Sequence, residues 1–193
     1  MNYSGKQVKV VFYWEGFPKQ GSQGLIGNLS NKNQIVPIDC DASAIVYYKN
    51  SSKETELRAE IIDYQNSVAF NNAICHEGDS ISTGTNDETI MIDFSRIPED
   101  VSELKLTLDV FKSEKLRNNS HSKIHSQWVK IIDLASNEEI ESHNYFGMPA
   151  TGILHCGSFR KKSDGSWSFE NYGNVIPGVS CKDDLCAIEV VSD

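Results

Sequence analysis

Asp39-Cys40-Asp41-Ala42-Ser43 is the segment whose residue types and spacing most invite chemistry. In an extended chain residues i and i+2 project from one face, so Asp39 and Asp41 present two carboxylates ~7 Å apart. Two anions held that close repel, and a cation between them relieves the repulsion. The plainer alternative makes Asp39 a turn residue and Asp41 a cap. A second segment, Gly78 to Glu88, carries Asp79, Asn86, Asp87 and Glu88 among serines, threonines and two glycines. Calcium takes 6–8 oxygens from carboxylates, amides and backbone carbonyls on such a loop. The acid spacing is not that of an EF-hand, and a polar surface loop has the same composition.

Other candidate groups point to weaker chemistry. His121 and His125 are four apart, a zinc spacing on a helix, but they lie in the polar run 117–123 and just after it. Cys181 and Cys186 are too far apart for a Cys-x-x-Cys motif and read as ordinary thiols. His155 and Cys156 are neighbours, and on a strand neighbours face opposite sides. A hydrolase using Asp87 or Glu88 as base with His76 would need a carboxylate of raised pKa in an apolar pocket. The polar loop 78–88 does not offer one, and neither a serine nucleophile elbow nor a Walker loop occurs, so the expectation is a protein that is not an enzyme. Trp14, Trp128 and Trp167 are expected to fill the core, with Tyr13, Tyr47 and Tyr48 available as an aromatic face.

The 193 residues carry 18 Lys+Arg against 27 Asp+Glu, a formal charge of −9. That balance argues against a nucleic-acid partner, which requires clustered basic residues. Asp39, Asp41, Asp79, Asp87 and Glu88 are five of the 27 acids; without them the net charge falls to −4. No run approaches the ~20 apolar residues of a membrane-spanning helix. The polar start, Met1 to Lys6, has no apolar stretch behind it, and the five cysteines form an odd count. Both features fit a cytoplasmic protein without a secretory signal.

The elements that must position these residues are mostly strands. Even-spaced apolar residues mark Val8–Trp14, Thr89–Phe94, Leu104–Val110 and Trp167–Asn171, and β-prone runs mark Ala42–Tyr48, Trp128–Ile132 and Ile153–Phe159. Ser163-Asp164-Gly165-Ser166 and Ser136-Asn137-Glu138 read as hairpin turns. Leu57, Ile61 and Tyr64, at i, i+4 and i+7, predict one helix over Glu54–Tyr64. Residues 16–37, with four glycines and two prolines, read as a loop or irregular crossing. The fold class expected is all-β: an antiparallel two-sheet β-sandwich with at most one short helix, forming one domain over residues 1–193.

In order along the chain stand Phe12-Tyr13-Trp14-Glu15, Asp39-Cys40-Asp41-Ala42-Ser43, Val68-Ala69-Phe70-Asn71-Asn72, Thr83-Gly84, Asn86-Asp87-Glu88 and Ile92-Asp93-Phe94-Ser95-Arg96-Ile97-Pro98. Trp128–Leu134, Glu138-Glu139-Ile140, Gly152–Phe159 and Gly165-Ser166-Trp167-Ser168-Phe169 follow. This ordered set resembles the TerD-type tellurite-resistance and stress-response family over roughly residues 8–178. The resemblance implies a β-sandwich with calcium where acidic loops converge at one end. Carried over, Asp39 and Asp41 match the paired aspartates, Asn71 and Asn72 an oxygen-supplying asparagine pair, and Asp87 and Glu88 the last acids of the loop. Asn86 stands where another acid is usual, Thr85 replaces the aspartate after Thr-Gly, and the stretch between Thr83-Gly84 and the final acids is several residues shorter. The resemblance therefore implies metal ligands among Asp39, Asp41, Asn71, Asn72, Asp79, Asn86, Asp87 and Glu88, with one weakened calcium site in place of two, or its loss. It also implies partners among other stress-response proteins or a membrane-associated complex. The rival function is a metal-independent ligand- or protein-binding module on the same sandwich.

Overall fold

The alternating runs pair into two antiparallel sheets. The computed structural model describes residues 1–15, 17–18, 35–36, 39–49, 56–78, 86–110, 126–146 and 153–175. The strands are β1 (Gln7–Glu15), β2 (Phe17–Pro18), β3 (Ile35–Val36), β4 (Cys40–Lys49), β5 (Glu56–Ile62), β6 (Val68–Ala69), β7 (Ile74–His76), β8 (Asp87–Asp93), β9 (Val101–Val110), β10 (Ser126–Asp133), β11 (Glu138–Phe146), β12 (Ile153–Lys161) and β13 (Trp167–Val175). One sheet runs β11-β10-β1-β8-β7-β6 and the other β13-β12-β9-β4-β5, with β2 and β3 forming a separate pair.

The inward residues follow from the period of two. Val8, Val10, Phe12 and Trp14 of β1, Ile90 and Ile92 of β8 and Val129 and Ile131 of β10 share one core with Ala42, Ala44 and Val46 of β4, Leu104, Leu106 and Leu108 of β9 and Phe159 of β12. Each such Leu, Ile or Phe contributes about 1.5–3 kcal/mol on burial. Tyr3, Phe94, Phe159 and Trp167 close one end of this core with ring centroids 4.9–5.9 Å apart. At the β12–β13 turn Gly165 has φ +81°, the left-handed conformation glycine accepts without strain, and Lys162 N–H donates to Ser166 C=O at 2.8 Å. Asn137, at φ +56°, serves the β10–β11 turn.

Four sequence expectations are corrected. From Glu56 onward the helix expected over Glu54–Tyr64 is instead β5, followed by a turn, and no helix occurs among the described residues. Apolar residues four apart satisfy a strand face as well as a helix face. Asp63 then ends the strand by accepting from Gln65 N–H and Asn66 N–H, both at 2.8 Å. Within 16–37, two short strands pair, Phe17 with Val36 and Pro18 with Ile35. Trp14 and Trp167 are core residues, but Trp128 is only half-buried on the outer face of β10, opposite Tyr13 of β1. Nor do the tyrosines form one face. Tyr13 lies outside the first sheet, Tyr47 joins Ile45 and Ile153 outside the second, and Tyr48 packs against the main core.

Candidate functional site

The start of β4 brings the first aspartates to one end of the sandwich. Cys40 points into the core and is fully buried, so Asp39 and Asp41, one residue to either side, take the other face. Asp41 is itself buried, and its register partner on β9 is another acid, Asp109. Directly opposite residues in an antiparallel pair have Cβ atoms ~5 Å apart, and like charges there destabilise the sheet. Two carboxylates at that spacing repel by on the order of 3 kcal/mol at an effective dielectric constant of 20. Burial pushes the Cys40 thiol well up from its usual range, and the carboxylates of Asp39, Asp41, Asp109 and Glu88 all push it the same way. Four acids are thus close enough for one buried thiol to feel them.

Glu88 belongs to this cluster from the opposite sheet. Its neighbours Ile90 and Ile92 face the core, and by the same alternation Glu88 points inward and is buried. Glu88 Oε2 accepts from Ala42 N–H at 2.7 Å, and β4 begins pairing with β5 only at Ala44. His76 Nε2 lies 3.2 Å from the same oxygen, and both side chains are sealed from solvent. His76 Nδ1 accepts from Gly78 N–H at 3.1 Å, which leaves the ring proton on Nε2 to be donated to Glu88. A single carboxylate therefore joins β7, β8 and β4 across the two sheets. The reading of 78–88 as a polar surface loop fails at Glu88, which is buried.

The remaining predicted ligands are dispersed. Asp87 is Glu88's neighbour and the register partner of Tyr13, so it lies on the outer face of the first sheet. Asn86 is exposed, and its carbonyl accepts from Trp14 N–H at 3.1 Å. Asp79 lies outside the described residues, as do 80–85, His121, His125, Cys181 and Cys186.

Asn71 and Asn72 sit at the wrong end of the molecule to join the acids. They precede Ala73, whose carbonyl accepts from Asp93 N–H at 2.7 Å, and Ile74 pairs with Ile92. That is the far end of β8 from Glu88, roughly 16 Å along the strand. Their φ values of +52° and +65° follow Phe70 at +51°, so the pair serves a tight turn, a role asparagine tolerates well. Arg96 donates to the Asn71 carbonyl and holds that turn against the chain leaving β8.

Asp109 is the acid that sequence reading misses. It ends an alternation in which Leu104, Leu106 and Leu108 face inward, so its outward direction is legible from the sequence. Its register against Asp41 is not, because pairing between distant strands is set by tertiary packing. Hard oxygen donors dominate this end, the donor set that calcium takes. Among the described residues, however, no three His, Cys, Asp or Glu side chains gather closely enough to hold a metal ion. The donor chemistry fits the cation, and the described residues alone do not complete a site.

Comparison with known proteins agrees with the topology. The chain is 25% identical over 171 residues to the tellurium resistance protein TerZ of Serratia marcescens, covering 87% of this chain and 81% of that one. It is 26% identical over 125 residues to chemical-damaging agent resistance protein B of Clostridium acetobutylicum, covering 62% of this chain and 86% of that one. A solved homologue of telluride resistance protein (TerD), SCO6318 from Streptomyces coelicolor A3(2), superposes with a TM-score of 0.61 at 12% identity, over 94% of this chain and 95% of that chain, and shares the fold. The TerD domain family model matches residues 7–179, from the first residue of β1 to beyond the end of β13. With nearly the whole sandwich inside that match, the chain belongs to the TerD domain family.

Proposed function

We propose that this protein is a non-enzymatic, cytoplasmic calcium-binding member of the tellurite and chemical-stress response, in which a cation at the acidic end orders the connecting loops and so sets a surface for a partner protein or a membrane-associated complex. The observation that carries this reading is the Asp41–Asp109 cross-strand pair, set beside Asp39 and backed by Glu88. A sheet that places like charges opposite one another in a buried position has an electrostatic cost that a divalent ion removes. Asp39, Asp41 and Asp109 would contribute carboxylates without completing a site among the described residues, and Asp79, next along the chain from the His76–Gly78 segment, would add a further donor. Bound calcium would supply positive charge between these carboxylates. Glu88 is engaged by Ala42 and His76, and its part is to fix the start of β4 against β7 and β8. The names of the relatives support the stress-response setting, in tellurium resistance and in resistance to chemical damage. The non-enzymatic reading is supported by the sealing of the His76–Glu88 pair, where no substrate reaches either group.

A metal-independent binding module is the second reading. It is favoured by the failure of any three described His, Cys, Asp or Glu groups to converge on one point. Thermal melts in calcium and in EDTA separate the two. Specific binding at about 100 times Kd adds about 2.7 kcal/mol, or a rise in Tm of roughly 5–10 °C for a domain of this length. Asp41→Asn should abolish that rise while raising the melting temperature in EDTA, because it removes one of the two repelling charges. Equal melting temperatures in calcium and EDTA would discard the calcium reading.

A further inference from the structure

The other end of the sandwich has the opposite character. Lys49 closes β4, Lys161 closes β12 and Lys162 opens the turn into β13, and all three line one cleft of about 430 Å³. Its floor is apolar, from the buried side chains of Phe94, Ile97 and Trp167. Elsewhere several cations meet carboxylates: Lys6 with Asp133, Lys9 with Glu77, Lys130 with Glu139, and Arg160 with Glu103 and Glu170. None of the three cleft lysines forms an ion pair among the described residues. Glu99 is the one acid on the lining, and Lys161 Nζ donates to its backbone carbonyl at 3.0 Å. The nearby Asp164 carboxylate is turned back to accept from Ser166 N–H at 2.8 Å.

The walls of this cleft are held in place before any ligand arrives. Lys49 N–H donates to Asp100 C=O at 2.9 Å, and the Lys162 turn is closed by Gly165 N–H to Lys162 C=O at 2.9 Å. Trp167 N–H donates to Ser4 Oγ at 3.0 Å, and the Lys161 ammonium lies 5.7 Å from the Trp167 ring centroid. Three lysines lining one concavity of a chain with a net charge of −9 concentrate positive potential there.

The geometry points to a binding site for a small phosphate-bearing anion in the Lys49–Lys161–Lys162 cleft. Lysines are separate point charges, and three of them around one cleft match the several oxygens of a phosphate or pyrophosphate group. A lone carboxylate is better served by the planar fork of arginine. The volume lies within the range of small-molecule sites. A free phosphate ester and a phospholipid headgroup present the same chemistry to these lysines. This site stands independently of the calcium reading, since the two lie at opposite ends of β4.

The test uses the full chain in EDTA, so that chelation of calcium by phosphates has no effect. Titration calorimetry with inorganic phosphate and pyrophosphate probes the free source. Co-sedimentation with phosphatidylglycerol vesicles, against phosphatidylcholine vesicles, probes the lipid source. Saturable pyrophosphate binding, tighter than that of phosphate, is expected, or selective sedimentation with the anionic vesicles; either supports the site and identifies its source. Lys49→Gln/Lys162→Gln alters two exposed side chains and should leave the ligand-free melting temperature unchanged while weakening binding by about tenfold or more, equivalent to about 1.4 kcal/mol. Asp41→Asn should leave it intact. Absence of saturable binding by every probe, or equal affinity in the double-lysine variant, would overturn the proposal.

Discussion

Glu88 illustrates how a single carboxylate can hold a rim together. Its Oε2 receives both the Ala42 N–H and the His76 ring, in a space where neither donor can turn to water. Glu88→Ala leaves two buried donors without an acceptor, each worth about 1–3 kcal/mol. The expected loss is about 2–3 kcal/mol, a fall in Tm of roughly 5–10 °C, read by calorimetry in EDTA so that no cation contributes. Glu88→Gln keeps an oxygen for Ala42 and should lose about half as much. A Glu88→Ala protein that melts with the parent would mean that the latch carries no load. At this scale the sequence was partly legible. Alternation correctly placed Asp39 and Asp41 on one face, and the same rule assigns Asp87 and Glu88 to opposite faces, which grouping them as joint ligands ignored. Asn71 and Asn72 were misread because a turn built from consecutive left-handed residues leaves no periodicity to detect; only their tolerance of positive φ marks it.

The elements were read best where one face of a strand meets the core and the other does not. β1, β8, β9 and β10 show clean alternation, because a one-residue slip would turn every apolar side chain outward. β5 was misread as a helix for an instructive reason. Ile62 faces the main core while Ile61 packs on the Ile45–Tyr47–Ile153 cluster outside the sheet, so both faces are apolar and alternation disappears. β12 is buried on both faces in the same way, and it contains a close backbone approach. Its pairing with both neighbours shifts between His155 and Gly157, and a methyl group built on Gly157 would lie 2.4 Å from the Phe169 ring and 2.6 Å from the Glu170 carbonyl oxygen. The ring can move, but the carbonyl belongs to the β13 ladder. Gly157→Ala should therefore cost about 1–3 kcal/mol, the usual penalty for overpacking, and lower Tm by roughly 3–10 °C. An unchanged melt would show that β13 shifts freely, contrary to its seven register pairs with β12.

Viewed whole, the molecule separates its carboxylates by the company they keep. At the end formed by Asp39, Asp41 and Asp109, acids face acids. At the opposite end, three aspartates are held below the usual carboxylate range by donors. The Lys6 side chain, then the Ala135 N–H, lower Asp133. Asp164 is lowered by the side chain and N–H of Ser166. Burial alone would raise Asp93, but hydrogen bonds from Ser95 and Gln7, with Arg96 nearby, outweigh it. A carboxyl whose folded pKa is depressed binds protons more weakly in the native state than in the unfolded chain. Its contribution is complete above the unfolded value of about 3.9 and disappears as pH falls through that value toward the folded one. The lysine-bearing end should thus be the one that acid loosens, below about pH 4, while protonation at the other end relieves repulsion. Melting temperatures from pH 7 down to about pH 2.5 provide the check. The native curve should fall below about pH 4, and Asp93→Asn/Asp133→Asn should start lower at neutral pH and descend less steeply through the same window. Parallel curves would mean that these two aspartates play no part in acid unfolding. An Asp41→Asn variant in EDTA should instead lie above the native curve at neutral pH and converge with it in acid, because the repulsion it removes exists only while both carboxylates are charged.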